Sequence, residues 1–307
     1  MKKLLRPFWR LFKFFVLKPA FDIKDTWFIW KLRNYKSVSL QKNNPLPLND
    51  VQQKIVAGMK KDGIYITSID ELFPDSNYLE KLQSYGAGLK EKAVQNSTKT
   101  YWLDMWDVKA FPMDLGNPFL QIAMEEKVIG IANAYLGMYS KLHSLGLSET
   151  IPMTEGAPAS QSQRWHRDTG NKKYVKMFIY LNNVDKGAGP FVFVKKSQPG
   201  GKWYKLFPQL NPYSEKSGRV EDSALENAVP KEDILECTGK AGTLVFADTV
   251  GLHKGSYSTT ASRFASIITY FSEHSMEVGK RDRLVYPQGF EESITDCSEA
   301  VKFTTLV

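Results

Sequence analysis

"QRWHRDTGNKKYVKMFIYLNNV", residues 163–184, places a histidine and an aspartate two positions apart and follows them with a β-branched and aromatic run. Alternate side chains of an extended chain point the same way, so His166 and Asp168 can reach one point in space. The run 173–184 reads as a strand. "GPFVFVKK" (189–196), "GTLVFAD" (242–248) and "RFASIITYFS" (263–272) read alike, each bounded by glycine, aspartate or polar turns. Strands therefore crowd the chain beyond about residue 140, and helical patterns precede them. "NDVQQKIVAGMKKDG" (49–63) has an Asn or Asp cap, apolar Val51, Ile55, Val56 and Met59, and a terminating Gly63. "IYITSI" (64–69) follows as a strand, 75–94 as a second helix, and 117–137 as one long helix ending at Gly137. Helices first and strands second predict an α+β fold, with helices bracing an antiparallel sheet or barrel. The stretch 197–233, rich in Gly, Pro, Ser and charge, reads as a loop insertion able to cover a site.

The chain has 307 residues, 42% hydrophobic and 13% aromatic, enough for a proper core. Mixed charge and the absence of low-complexity stretches argue against disorder, and no fixed-period repeat is present. Cys237 and Cys297 are the only cysteines. They suit neither a disulfide framework nor a cysteine metal cluster, and they point to a reducing compartment. The net charge of +8 is not spread evenly: residues 1–42 hold eleven basic and two acidic side chains, leaving the rest near neutral. A nucleic-acid-binding domain spreads basic charge over its folded surface, so that class is disfavoured. The expected division is a basic amphipathic segment, 1–42, and one domain, 43–307.

"MKKLLRPFWRLFKFFVLKPA" (1–20) has six basic residues and no acid. Placed at 100° per residue, Lys2, Lys3, Arg6, Arg10 and Lys13 share one arc, and Phe8, Trp9, Leu11, Phe12 and Phe15 mostly cover the other side; Pro7 sets the helix start near Arg6. The uncharged run Phe14–Leu17 is too short to span a bilayer, and interrupting charges argue against a signal peptide. Such a helix suits an anionic membrane interface, with Trp27 and Trp30 extending the contact. The other reading is that it docks on its own domain or a partner subunit. The expected location is the cytoplasm, peripheral on the inner face of a membrane.

A third ligand to join His166 and Asp168 has to come from another strand. The histidines are His143, His166, His253 and His274. His143 lies in a helix-to-loop region and His274 beyond a strand. His253 follows the strand "GTLVFAD" among turn residues and has the best context. Two imidazoles and one carboxylate make a facial set with open positions, as used by non-haem iron(II) oxygenases. The His-Glu-x-x-His pattern of zinc hydrolases is absent. Ten residues after His253, Arg263 opens an otherwise apolar strand, where a guanidinium is costly unless it meets an anion. Its planar fork suits the far carboxylate of a 2-oxo acid co-substrate.

The stretches 162–198 and 242–271 resemble the phytanoyl-CoA dioxygenase-like family of iron(II)/2-oxoglutarate oxygenases. The resemblance covers about 160–200 and 234–272, weakens over the helical part from 46, and does not reach 1–42. It implies a double-stranded β-helix (jelly-roll) core, with His166, Asp168 and His253 holding iron(II) and Arg263 holding the distal carboxylate of 2-oxoglutarate. It also implies use of O2, release of succinate and CO2, and hydroxylation of an unactivated C–H. Related halogenases carry a small residue in place of the acidic ligand, and Asp168 favours hydroxylation. Many relatives have Gly-Ser-His after the "GPF" strand where this chain has "KKSQ" (195–198). An interfacial helix delivers a site to molecules that do not leave the bilayer, so the basic N-terminal segment suggests a membrane-associated or amphiphilic substrate, a lipid or lipid-linked sugar, with the Kdo sugar of lipopolysaccharide one named possibility. The alternatives are a hydroxylase of a soluble small molecule or acyl-CoA, or a non-catalytic membrane-recruited module on the same scaffold. Oligomeric state is not legible.

Other residues carry two readings each. Lys176 and Tyr180, on one side of "VKMFIYL", either contact 2-oxoglutarate or form a polar sheet face. Asp248 either orients His253 or caps a turn. Trp165 is expected to pack beside the iron. Arg164 and Arg167 either bind an anionic substrate or are solvated, with the second preferred.

Overall fold

The computed structural model describes residues 26–92, 102–104, 113–154, 159, 161–207, 219–274, 284 and 286–306. The basic helix expected near Arg6 lies outside them. Two short helices, α1 (Trp27–Arg33) and α2 (Tyr35–Asn43), precede α3 (Asp50–Asp62). Asn49 and Gln52 close a reciprocal capping box at the start of α3, and Gly63 ends it at φ +80°, a conformation that favours glycine. The chain continues through β1 (Ile64–Ser68), α4 (Tyr78–Lys92), β2 (Trp102–Asp104), α5 (Pro118–Met124) and α6 (Glu126–Leu136). Then come β3 (Lys141–Thr150), β4 (Val175–Tyr180), β5 (Phe191–Val194), the short α7 (Asp222–Glu226), β6 (Ile234–Cys237), β7 (Thr243–Ala247), β8 (His253–Gly255), β9 (Phe264–Phe271) and α8 (Glu299–Thr305). None of the described helices is long and apolar enough to cross a membrane.

The strands form two antiparallel sheets, one of six strands in the order β1-β7-β4-β9-β3-β2 and one of three in the order β6-β5-β8. Strand alternation sorts the side chains. Val175, Met177 and Ile179 of β4, with Leu244 and Phe246 of β7 and Ile268 and Tyr270 of β9, join the core shared with α3, α5 and α6. Phe178 and Tyr180 of the same β4 turn the other way, into a second core with Phe191 and Phe193 of β5 and Cys237 of β6. The large sheet is thus covered by helices on one face and by the small sheet on the other. The α+β expectation is met, and the functional residues lie between the sheets.

Two expectations need correction. Residues 117–137 form two helices, broken at Glu125, whose ψ of 128° is extended. The reason is tertiary: the Ala123 carbonyl, which a continuous helix would give to the next turn, accepts instead from the Tyr270 hydroxyl at 2.7 Å. The Glu125 carboxylate is in turn held by the Tyr78 hydroxyl. His143 sits on β3, the longest strand, rather than in a helix-to-loop region. Its register against β9 shifts between Leu142 and Ser144, and its ring lies 4.1 Å from that of Phe271.

Candidate metal centre

His166 and His253 face each other as a directly paired antiparallel couple. Each backbone N–H donates to the other's carbonyl at 3.0 Å, so main-chain register sets the separation of the two imidazoles. Their rings lie 4.2 Å apart at 51°. Asp168 follows two residues after His166, pinned by its N–H to the Thr249 carbonyl at 2.8 Å. Ligand atoms from the three side chains all lie within 4.8 Å of one another. His166 Nδ1 bonds the Arg164 carbonyl at 2.8 Å and His253 Nδ1 bonds that of Gly251 at 2.9 Å. A carbonyl can only accept, so each Nδ1 carries the proton and each Nε2 keeps its lone pair for a metal.

The electrostatics agree with a site for a dication. Burial pushes His253 down to about 3, helped by neighbouring His166, and burial also lowers His166 despite Asp168. Both imidazoles are therefore neutral at physiological pH. Burial works against the Asp168 charge, but the Lys176 ammonium, the strongest of the opposing neighbours, holds the carboxyl below the usual range. The carboxylate is shared: Oδ1 stands 3.9 Å from His253 Nε2, and Oδ2 meets the Lys176 ammonium at 2.6 Å. Two neutral nitrogens and one carboxylate oxygen form the donor set expected for iron or a similar transition metal.

The second half of the site lies along the inter-sheet face. Lys176, Phe178 and Tyr180 alternate on β4. The Phe178 and Phe191 rings are 4.3 Å apart, and Phe191 lies 5.6 Å from the His253 ring. Tyr180 donates to the Cys237 carbonyl at 2.7 Å and is bonded to Arg263. The Arg263 guanidinium lies against β8, where a Cβ placed on Gly255 would come 4.0 Å from Nη2. Gly255 is two residues beyond His253 and shares its side of the strand. Burial works against the Arg263 charge, eased only by Tyr180 and Cys237. Arg263 Nη1 is buried and makes no hydrogen bond among the described residues. A buried guanidinium with an unused donor is the feature that an incoming carboxylate would satisfy.

No family model and no curated protein matches the chain by sequence. Solved structures do match by shape. The epimerase SnoN, in complex with Fe3+, alpha ketoglutarate and nogalamycin RO, aligns at a TM-score of 0.52 and 16% identity, over 73% of this chain and 85% of that one. EctD from S. alaskensis, with 2-oxoglutarate and 5-hydroxyectoine, aligns at 0.51 and 16%, over 81% and 88%. This chain shares their fold.

The remaining sequence candidates fall into place around that core. Arg167 is neither solvated nor free to meet a substrate. It is buried and donates to four carbonyls: Ser197 at 2.6 Å, Val250 at 2.8 Å, Leu206 at 2.9 Å and Trp203 at 3.0 Å. It ties the first part of the 197–233 insertion to the turn before His253. Arg164 pairs with Glu221, and Lys254 pairs with Asp222, so ion pairs fasten α7 beside both histidines. Trp165, expected beside the iron, instead packs with Val192 and Leu252 on the outer side of the small sheet, buried beneath Lys254 and paired with Val220. The described parts of the insertion, 197–207 and 219–233, thus cover the outer side of the small sheet.

Asp248 does not touch His253, which is oriented by the Gly251 carbonyl instead. Its carboxylate accepts from the Tyr135 hydroxyl at 2.7 Å and from the N–H groups of Tyr174 and Val250 at 3.1 Å, the last being a turn cap. Burial pushes this carboxyl up to about 6 against those bonds. The folded-state value lies above the unfolded one near ~3.9. The group therefore favours the fold fully below about pH 4, and that contribution is lost as pH rises through about 6, for a total of about 3 kcal/mol. Asp248→Asn keeps the shape without the charge. The variant is expected to gain stability relative to wild type as pH rises from about 4 to 7. Parallel melting curves for the two proteins across that range would refute the assignment.

Proposed function

We propose that the protein is an iron(II)/2-oxoglutarate-dependent dioxygenase built on a double-stranded β-helix and belonging with the phytanoyl-CoA dioxygenase-like enzymes. The observation that carries this reading is the facial set His166, Asp168 and His253, with Arg263 on the same side of the small sheet holding a buried donor unused. Iron with 2-oxoglutarate and O2 supplies the oxidising chemistry, releasing succinate and CO2 as a substrate C–H is hydroxylated.

The chain's own residues bind and orient. The two imidazoles and the carboxylate would hold the metal. Lys176 keeps Oδ2 of Asp168 occupied, presenting Oδ1 to the ion. Arg263, set by Tyr180, receives the distal carboxylate of the co-substrate, and Phe178 and Phe191 wall the space between. Lys176 would thereby support the metal-ligand cluster through Asp168, and Tyr180 would support Arg263. The proposed substrate is membrane-associated or amphiphilic, a lipid or lipid-linked sugar. Support for it comes from the basic, aromatic sequence of residues 1–42, which we propose as a membrane-interface segment preceding the oxygenase domain 43–307.

The test is succinate release from 2-oxoglutarate with iron(II) and O2, with and without candidate lipids. Retention of 2-oxoglutarate under all these conditions sinks the enzymatic reading in favour of a binding module. Arg263→Leu removes a two-pronged carboxylate contact and is expected to raise the Michaelis constant for 2-oxoglutarate by about 10–100-fold, with a smaller change in kcat. An unchanged co-substrate dependence means another cation holds that carboxylate.

A further inference from the structure

Helix α1 and the first turn of α2 turn an apolar side outward, while farther along α2 Val38 and Leu40 pack against the core. The stripe that faces the domain is Trp30, Asn34 and Ser37, at helical spacing, and two of the three are polar. Trp30 donates its indole N–H to Asn171 Oδ1 at 3.0 Å and Ser272 Oγ at 3.2 Å. Asn34 bonds the His274 N–H at 3.1 Å, and Ser37 bonds Glu273 at 3.3 Å. The opposite face is the apolar one. Phe28 is 74% exposed, Tyr35 71%, Leu32 61% and Trp27 39%. Four of the six large hydrophobic side chains exposed among the described residues lie in this one stretch of nine. A domain that needed only to dock these helices would turn that face inward, since large exposed apolar patches mark interaction sites.

Charge identifies the partner. Lys31, Arg33 and Lys36 are exposed among these residues, with no acid between Thr26 and Lys42. Aromatic rings and leucine interleaved with lysine and arginine suit a bilayer interface bearing anionic lipid, where rings enter the headgroup region and cations meet phosphates. A protein partner of ordinary composition gives no reason for so one-sided a charge.

We propose that the exposed face of α1–α2, centred on Phe28, Leu32 and Tyr35, docks on an anionic lipid surface. This inference stands on described side chains, independently of residues 1–25. Its link to catalysis rests on the oxygenase reading: the Trp30 indole is bonded to Asn171, on the loop that leaves Asp168, so the docked face is fastened to the metal site's own loop.

The test uses the full chain with phosphatidylcholine vesicles, with and without phosphatidylglycerol. Wild type is expected to float with the anionic vesicles only, less so as salt rises. The triple variant Phe28→Ser, Leu32→Ser, Tyr35→Ser is expected to bind at least about tenfold more weakly. Its melting temperature should hold, because the three side chains are exposed. Equal flotation of variant and wild type would show that this face is not the docking surface and would overturn the proposal, as would no flotation of either. A wild-type dimer without lipid that the variant breaks would assign the face to a second copy of the chain instead. Vesicle binding without any succinate release would leave this inference standing and remove the oxygenase reading.

Discussion

His253→Ala is expected to abolish iron-dependent succinate release while leaving the fold in place. Loss of a ligand should exceed the roughly 10–100-fold cost of losing a partner behind a ligand, and a drop of about 10³-fold or more, near the detection floor, is expected. The fold survives because the bonds joining His253 to His166 are main-chain bonds that alanine retains. Both readouts are needed. Iron content of the purified variant should fall to background, and its melting temperature without iron should match that of wild type without iron. Asp168→Asn is the companion change. It removes the only negative charge within the ligand set and frees the Lys176 ammonium now bonded to Oδ2. Wild-type iron stoichiometry in His253→Ala would refute the ligand assignment outright.

Arg167→Leu carries the largest expected cost in stability. Four carbonyls lose one charged donor, and hydrogen bonds to charged groups are worth about 1.5–3 kcal/mol each. Partial relaxation of the insertion into water reduces the sum, giving an expected loss of about 3–5 kcal/mol. In a domain of this size the melting temperature should fall by roughly 5–10 °C. Arg167→Lys should recover only part, because one ammonium cannot span carbonyls from Ser197, Trp203, Leu206 and Val250. Limited proteolysis should cut the variant faster between 195 and 207. If Arg167→Leu melts with wild type, the clamp contributes nothing and the insertion is held by its ion pairs.

The contrast between His166 and Arg167 shows what the sequence carries and what it does not. Period-two alternation places His166 and Asp168 on one side of an extended chain, and that much is legible from adjacent letters. The partner of Arg167 is a ring of backbone carbonyls, which leave no residue-type signature, so its role emerges only in three dimensions. Helix α3 was legible from Asn49 and Gly63 because caps are local. The break at Glu125 was not, since it depends on Tyr78 and Tyr270, 47 and 147 positions from their partners. β3 was hidden for another local reason: the register shift at His143 puts buried Leu142 and Leu145 three apart, which defeats a search for alternation. Arg263 was legible as a cation without an acid nearby, and its neighbour Tyr180 only as one of several residues on a face.

The bond from the Trp30 indole to Ser272 also has a meaning in time. Ribosomes add about 5–20 residues per second, so roughly 12–48 s separate the synthesis of two residues 242 positions apart. Through that interval the side chains of Trp30, Asn34 and Ser37 lack the partners that residues 272–274 supply, although the Ser37 carbonyl meets the Tyr139 N–H sooner. These helices are made early and packed late. Whatever receives their apolar side can do so while the His166, Asp168 and His253 cluster is still unmade, so on the proposed reading attachment would precede assembly of the site.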